Sequence, residues 1–507
     1  MNHKQLTINL SSNMIALFVS VGITFILTPY LINSIGKVEY SFFPLANNFI
    51  GYMSIISLAL NSMVARFVTI EMTKNNISLA NKYYASSLYA NLMLIAILSI
   101  PMFIIVQYIE KIINIPPGII YDVKILFSLV FLSMLFDLLS SVFSVSTFSK
   151  NRLDLRALSE ISKSCIKLFL YLFLFFFYKP TVIFVGIIAI SVSLVNLIIQ
   201  YFFSKNLLPE FNISLDNLSF SILKKLISSG SWNVVNSLGV SFLLGMNLLL
   251  TNYYLGSEYG GTLSISLMLP AFISSVISMI VSVLLPRLTA AYGTGDDKNI
   301  QDEFVLSQKI LSILTTIPIS SVIIFGKEFY SLWLPLEYTN EVQILSVILL
   351  FPLLIYGNVW TVYSMNIVLN KVKIPSLFLL IVGFISFILS NGVSILFDSK
   401  NIIYIPLITS TLSVLYYLFF IPCYTLSQLN LKKTNVLLNI YKPIIFSVVY
   451  IVSWYFIKDY IHIYSWCELV MWTLLSIIIG MVLHCFVIFS LKEIYIFTSF
   501  IKTKIIC

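Results

Sequence analysis

The length of its apolar runs constrains this chain more than any motif in it. From residue 11 to residue 490 the sequence alternates apolar stretches of about 18–25 residues with short polar breaks. That is the length an α-helix needs to cross a hydrocarbon core of about 30 Å. Backbone groups cannot stay unpaired in hydrocarbon, so only helices or closed barrels cross it. The runs lack the in–out alternation of barrel strands. Hydrophobic residues make up 59% of the 507 and charged residues only 10%, where a soluble chain carries about a quarter charged. The expected class is an all-α polytopic membrane protein.

Runs and breaks give about fourteen spans: 11–33, 41–63, 84–107, 122–148, 158–178, 180–203, 228–253, 262–285, 305–326, 341–368, 374–397, 402–425, 441–457 and 467–490. The first run is read as an anchor that is retained, since it lacks a small-residue cleavage site. With the N-terminus placed in the cytoplasm, and each basic residue assigned to its nearer loop, 23 of the 30 Lys and Arg fall inside and 7 outside. This is the positive-inside bias, and it puts both termini in the cytoplasm. The net charge of +9 is largely this orientation signal, so no nucleic-acid partner is expected.

Several chemistries are excluded. No loop exceeds about 24 residues, which leaves no room for a soluble catalytic domain. No GxxxxGK[ST] occurs, and Gly293–Lys298 has neither phosphate-loop nor calcium-loop spacing. Four of the five cysteines (Cys165, Cys423, Cys467, Cys485) fall inside or at the edge of spans, and His3, His462 and His484 form no ligand set. No metal, no cofactor and no enzymatic activity are expected.

A polar corner is written twice. IGKVEY at Ile35–Tyr40 and LGSEYG at Leu255–Gly260 each lie between two apolar runs. Arg66 follows Gly36 by 30 positions and Arg287 follows Gly256 by 31. Ten residues beyond the arginines stand Asn76 and Asp297, and seventeen beyond stand Tyr83 and Phe304. Each following span has a proline, Pro101 and Pro318. Spans 1–6 and 7–12 are therefore read as two copies of a six-helix bundle, with spans 13 and 14 appended. The even span number makes the repeat parallel, about a pseudo-two-fold along the membrane normal. The expected organisation is an N-lobe at 1–205, a cytoplasmic linker at 206–227, a C-lobe at 228–430 and an appended segment at 431–507.

The pattern G-x-(x)-E-Y, a span, then R-(x)9-[ND] resembles the polysaccharide transporters of the multidrug/oligosaccharidyl-lipid/polysaccharide exporter superfamily, in particular the Wzx-type O-antigen flippases. Ser41 stands where a glycine often follows the tyrosine, and Ala65 where the second copy has Pro286. The resemblance implies transport of an undecaprenyl-pyrophosphate-linked oligosaccharide, an O-antigen or capsule repeat unit, from the cytoplasmic to the outer leaflet of a bacterial plasma (inner) membrane. It implies alternating access driven by a proton or sodium gradient, with a glycan polymerase and a chain-length regulator as partners beside the membrane lipids.

Charges inside spans cost at least about 2.5–3.5 kcal/mol each and mark functional candidates. Asp137 lies thirteen residues from both Lys124 and Lys150, near the midplane. Arg156, Glu160, Lys163 and Lys167 form one helical stripe at i, i+4, i+7 and i+11. Lys167 lies roughly 13–14 Å deep at about 1.5 Å per residue from Leu158. Two readings stand for these groups. One is an Asp137–Lys167 ion pair between neighbouring helices. The other is a wet lumen in which Lys163 and Lys167 attract an anionic substrate and Asp137 carries a coupling proton. Arg66 and Arg287 are read as interfacial anchors or as phosphate guides at the inner mouth. Asn236, with Asn47, Asn48, Asn61, Asn233 and Asn247, is read as lining a sugar path or bonding helices together. Competing functions are a lipid II flippase, a drug/cation antiporter, and a membrane glycan polymerase or acyltransferase.

Overall fold

The structure is a computed structural model that describes residues 3–293, 297–334, 339–396, 401–428 and 433–489. Residues 294–296 of the Gly293–Lys298 loop and the expected cytoplasmic tail at 490–507 lie outside these. Every regular element among the described residues is helical. The chain divides into two compact units, residues 1–264 and 265–507.

The first unit runs α1 (His3–Ile35), α2 (Lys37–Thr73), α3 (Ile77–Gln107), the short α4 (Ile109–Ile112), α5 (Ile120–Phe143), the short α6 (Val145–Ser149), α7 (Leu153–Phe177), α8 (Val182–Leu207), α9 (Phe220–Val240), α10 (Met246–Leu255) and α11 (Ser257–Ser266), whose last residues open the second unit. The second continues with α12 (Met268–Gly293), α13 (Asp297–Trp333), α14 (Thr339–Val368), α15 (Lys373–Leu396), α16 (Tyr404–Leu415), α17 (Ile421–Gln428), α18 (Lys433–Lys458) and α19 (Trp466–Ile488). Single π turns, Ser241–Gly245 and Tyr416–Phe420, join α9 to α10 and α16 to α17.

Among the described residues, thirteen helical segments are long and apolar enough to cross a membrane, so the chain is a multi-pass membrane protein. The expected fifth span, α7, is not among them. Its 25 residues are long enough, but even the last eighteen contain Glu160, Lys163 and Lys167. The charged stripe that singled this helix out is also what disqualifies it by composition.

The repeated corner is the same object in both places. Among the described residues, Gly36 and Gly256 are the glycines with positive φ, at 86° and 98°, with ψ of 157° and 171°. That region is open essentially to glycine alone. Each closes one helix and starts the next: the Gly36 N–H donates to Ile32 O (2.9 Å) and the Gly256 N–H to Asn252 O (3.0 Å), while Gly36 O and Gly256 O accept from the N–H of Tyr40 and Gly260 (both 3.1 Å). A Cβ at either glycine meets nothing within 4 Å, so the requirement is conformational. Gly36→Ala should cost about 1–3 kcal/mol, seen as a lower melting temperature in detergent; an unchanged melt would refute the strain.

The corners also meet. Lys37 Nζ lies 3.9 Å from Glu258 Oε1, and Gly261 leaves room for the Lys37 backbone, whose O stands 2.8 Å from the position a Cβ would take. Lower down, the Tyr52 hydroxyl and Asn48 Nδ2 of α2 donate to Gly245 O in the π turn, at 2.7 and 3.4 Å. Still lower, Gly230 of α9 lies against Ala59 and Ser62 of α2. These contacts attach α9, α10 and most of α11 to α2, and the first unit runs to residue 264, past the 206–227 segment.

That segment is strapped to α3. Asn81 Nδ2 donates to Asn212 O and accepts, through Oδ1, from the Asn212 N–H (both 3.1 Å). The Ser219 N–H donates to Ser86 Oγ (3.0 Å). Lys225 lies 4.9 Å above the ring of Phe67, which stacks on Tyr83 at 5.2 Å. At the same end of the unit, the start of α7 is clamped to α1. Arg152 and Asp154 form a two-pronged pair (3.0 and 2.9 Å), Gln5 Nε2 donates to Asp154 Oδ1 (3.0 Å), and the Asp154 N–H donates to Asn9 Oδ1 (3.1 Å). The hydrogen bonds from Arg152 hold the Asp154 carboxyl below its ordinary range. A depressed value stabilises the fold above about pH 3.9, the unfolded aspartate value, and the contribution is lost as the pH falls through the native value. Asp154→Asn should flatten the acid limb of the melting-temperature profile, by about 1 kcal/mol or less for so exposed a pair. An unaltered limb would remove the clamp from the account.

In the second unit α13 is central: 67% of its apolar window is buried, against 17% for α19. Small polar groups knit its neighbours to it. Asn358 Nδ2 donates to Thr316 Oγ1 (2.9 Å), Ser476 Oγ to Ser321 Oγ (2.9 Å), and Ser312 Oγ lies 3.1 Å from His484 Nε2. Such bonds average about 0.6 kcal/mol each in membrane helices. Asn151 and Asn370 end the helices before α7 and α15 at φ 55°. The next residues, Arg152 and Lys371, donate back to Thr147 O and Asn366 O, both at 2.7 Å.

Candidate functional site

Four helices of the first unit enclose the charged region. α5 supplies Asp137, α7 supplies Lys163, Lys167 and Tyr171, α8 supplies Ser193, and α2 supplies Phe43 and Asn47. α5 lies close along α8 because Gly186 lets Leu129 in; its Cβ would stand 3.0 Å from that of Leu129. A cavity of about 290 Å³ lies between these side chains. A second, of about 560 Å³, lies toward α9 and is lined by Asn61, Ser141 and Ser237 among others. Asp137 and Ile50 border both.

The Asp137 carboxylate is exposed to this space and accepts a hydrogen bond from Ser193 Oγ at 3.1 Å. One turn further along α5, Ser140 Oγ accepts from Asn196 Nδ2 (2.8 Å), and Asn196 Oδ1 accepts from Ser159 Oγ (2.9 Å). Lys163 is held by Glu160 at 2.7 Å on its own helix. Lys167 has no ion pair among the described residues; its ammonium lies 5.9 Å from the Phe43 ring centroid. The expected alternative of a structural Asp137–Lys167 bridge is therefore not formed. A cation held over an aromatic face, without a carboxylate, stays available to an anion.

Other expected site residues fall elsewhere. Arg66 is exposed near the end of α2 and has no ion pair among the described residues. Arg287, in the second unit, donates to Glu303 Oε1 at 3.0 Å. Asn236 is half-buried on α9, and its neighbour Ser237 lines the larger cavity in its place. Asn61 is paired with Asn91 of α3 by two reciprocal amide bonds, at 3.0 and 2.9 Å, so it both joins helices and borders the cavity. Sequence reasoning missed Ser193, Asn196 and Tyr171. The usable signal was the polar stripe Ser193, Asn196, Gln200, Ser204 along α8 at i, i+3, i+7 and i+11, which is buried throughout.

Solved transporters share this fold. The chain is similar to the lipid II flippase MurJ in its inward closed conformation, with a TM-score of 0.63 and 15% identity over 100% of both chains. It is similar to an inward-facing multidrug resistance MATE family transporter of the MOP superfamily, with a TM-score of 0.60 and 13% identity over 83% of this chain and 98% of that one. A curated relative, the uncharacterized membrane protein EpsK of Bacillus subtilis (strain 168), is 26% identical over 397 residues, 76% of this chain and 77% of its own length. The family model described as polysaccharide biosynthesis protein matches residues 6–291. With more than half its length matched by that model, and with the fold of MOP-superfamily transporters, the chain belongs to the polysaccharide biosynthesis protein family.

Proposed function

We propose that this protein is a flippase that carries an undecaprenyl-pyrophosphate-linked oligosaccharide, an O-antigen or capsule repeat unit, to the outer leaflet of a bacterial plasma membrane, with both termini cytoplasmic. One observation carries the proposal: Lys167, without a carboxylate partner among the described residues, borders a cavity inside a bundle of membrane helices. A desolvated cation is costly there, and an anionic cargo offsets that cost. The family match and the MurJ-like fold support the same reading. The two glycine corners and the matching Asn151 and Asn370 turns support a duplicated pair of six-helix bundles with α18 and α19 appended. In this reading Lys163 and Lys167 hold the anion, Asp137 carries the coupling proton, Asn236 flanks the path, and Arg66 and Arg287 guide phosphates at the cytoplasmic boundary. The protein performs no covalent chemistry, and a polymerase and a chain-length regulator take the product. A drug/cation antiporter is less well served, because Lys167 borders this cavity without a carboxylate partner among the described residues. Deleting the gene should leave lipid-linked oligosaccharide on the cytoplasmic face, measured by its protection from an external glycosidase. Unchanged delivery to the outer face would refute the function.

A further inference from the structure

We propose that the 206–227 segment is a lipid-docking surface that selects anionic phospholipid. The inference lies outside the transport cycle and uses only the placement of the chain in a membrane.

The segment has two sides. Phe211 and Leu218 pack inward against the buried cluster that holds Val64, Tyr84 and Leu226, and the asparagine and serine bonds to α3 fix the backbone. Ile213, Leu215 and Phe220 are exposed instead, Leu215 to 70% and Phe220 to 72%. The exposed side continues along α9, where Phe220, Lys224 and Ile227 follow one another at i, i+4 and i+7, while Ile222, Leu223 and Leu226 are buried. Large apolar side chains gathered on a fixed backbone mark an interaction surface, where single scattered ones would not.

The backbone sets the depth of that surface. From Leu208 to Ser219 the chain forms no α-helix, and irregular backbone does not lie against lipid inside the hydrocarbon layer. The segment therefore sits among the headgroups, with its apolar side chains entering the acyl boundary by roughly 5–10 Å.

Charge then selects the headgroup. Three helix ends meet the segment, those of α3, α8 and α9, and the Tyr84 hydroxyl lies 2.6 Å from Ser204 Oγ where the first two touch. Each end carries an exposed lysine, Lys82, Lys205 and Lys224, and none of the three has an ion pair among the described residues. The acidic groups of the segment are Glu210, which Lys150 meets at 3.7 Å, and Asp216. The surface is thus apolar below and basic around its rim, which fits a phospholipid with a negative headgroup. A second copy docked through the same patch would bring like charges together.

The test uses the full chain in nanodiscs of phosphatidylcholine and phosphatidylglycerol, with one lipid or the other brominated in its acyl chains. The readout is the fluorescence of Phe220→Trp after subtraction of the native chain's. Both brominated lipids should quench the added indole, and phosphatidylglycerol should do so, mole for mole, at least about fivefold more effectively, the effect of one lysine near an anionic surface. Lys205→Gln combined with Lys224→Gln should bring the two lipids toward parity, as should high salt. Leu215→Trp gives the same reading at a second position should Phe220→Trp fail to fold. Absence of quenching by either lipid, whether because water or a second copy covers the indole, would overturn the inference. So would equal quenching by both, or a preference untouched by loss of the lysines.

Discussion

Lys167→Ala should reach the membrane at the native level and deliver surface glycan at least about thirtyfold more slowly. Insertion is not expected to suffer, because the substitution removes an intramembrane charge that costs roughly 2.5–3.5 kcal/mol. Delivery suffers because Lys167 is the cavity lysine with no carboxylate partner among the described residues. Truncating one member of a desolvated charge pair costs roughly 2–5 kcal/mol, and about 1.4 kcal/mol is tenfold, so the loss falls between about thirtyfold and several thousandfold. Lys163→Ala should be milder, since Glu160 already occupies that ammonium. The measurement is surface glycan per cell in a deletion strain carrying each variant, normalised to membrane protein by immunoblot. Native delivery by Lys167→Ala, or a deeper defect in Lys163→Ala, would remove the anion site from α7.

Most of the fold could be read from the sequence because the bilayer permits few structures. Run length alone specified helices, and the doubled Gly-x-(x)-Glu-Tyr corner marked two places where the backbone takes a conformation that only glycine holds. The sequence places Asp137 by its distance from Lys124 and Lys150 and Lys167 by rise per residue, and the two residues border one cavity. What could not be read was partner choice. Lys163 turns to Glu160 three residues earlier on its own helix, a pairing that the stripe spacing permits but does not select. The first unit extends to residue 264 because α9–α11 meet α2 at Gly230, Gly245 and Gly261. A glycine in an apolar run gives no sign of which helix will approach it. The α8 stripe went unread because serine and asparagine scarcely lower the apolarity of a span, although buried they must find hydrogen-bond partners.

Gly230→Leu should eliminate the folded protein from detergent extracts, and Gly230→Ala should destabilise it by roughly 3 kcal/mol. A Cβ at Gly230 would collide with Ala59 O and stand 2.8 Å from Ala59 C. Both atoms belong to the backbone of α2, so no side chain can swing aside. Either the helices part, or the chain bends where α2 has a continuous hydrogen-bonded ladder. Overpacking a filled interior costs about 1–3 kcal/mol and occasionally more, and an immovable obstacle puts this site at the upper end. Separation here would also strip the buried cluster of Leu60, Val64 and Leu226, at about 25 cal/mol per Å² of apolar area uncovered. Gly51→Ala, on α2 itself, is the matched control: its Cβ meets nothing within 4 Å, and alanine favours helix over glycine by up to about 1 kcal/mol. Thermal melting followed by size-exclusion chromatography should therefore rank Gly51→Ala at or above the native chain and Gly230→Ala well below it. Equal melting of the two variants would mean that α2 and α9 do not cross in contact at Gly230, and the attachment of α9 to the first unit would have to be abandoned.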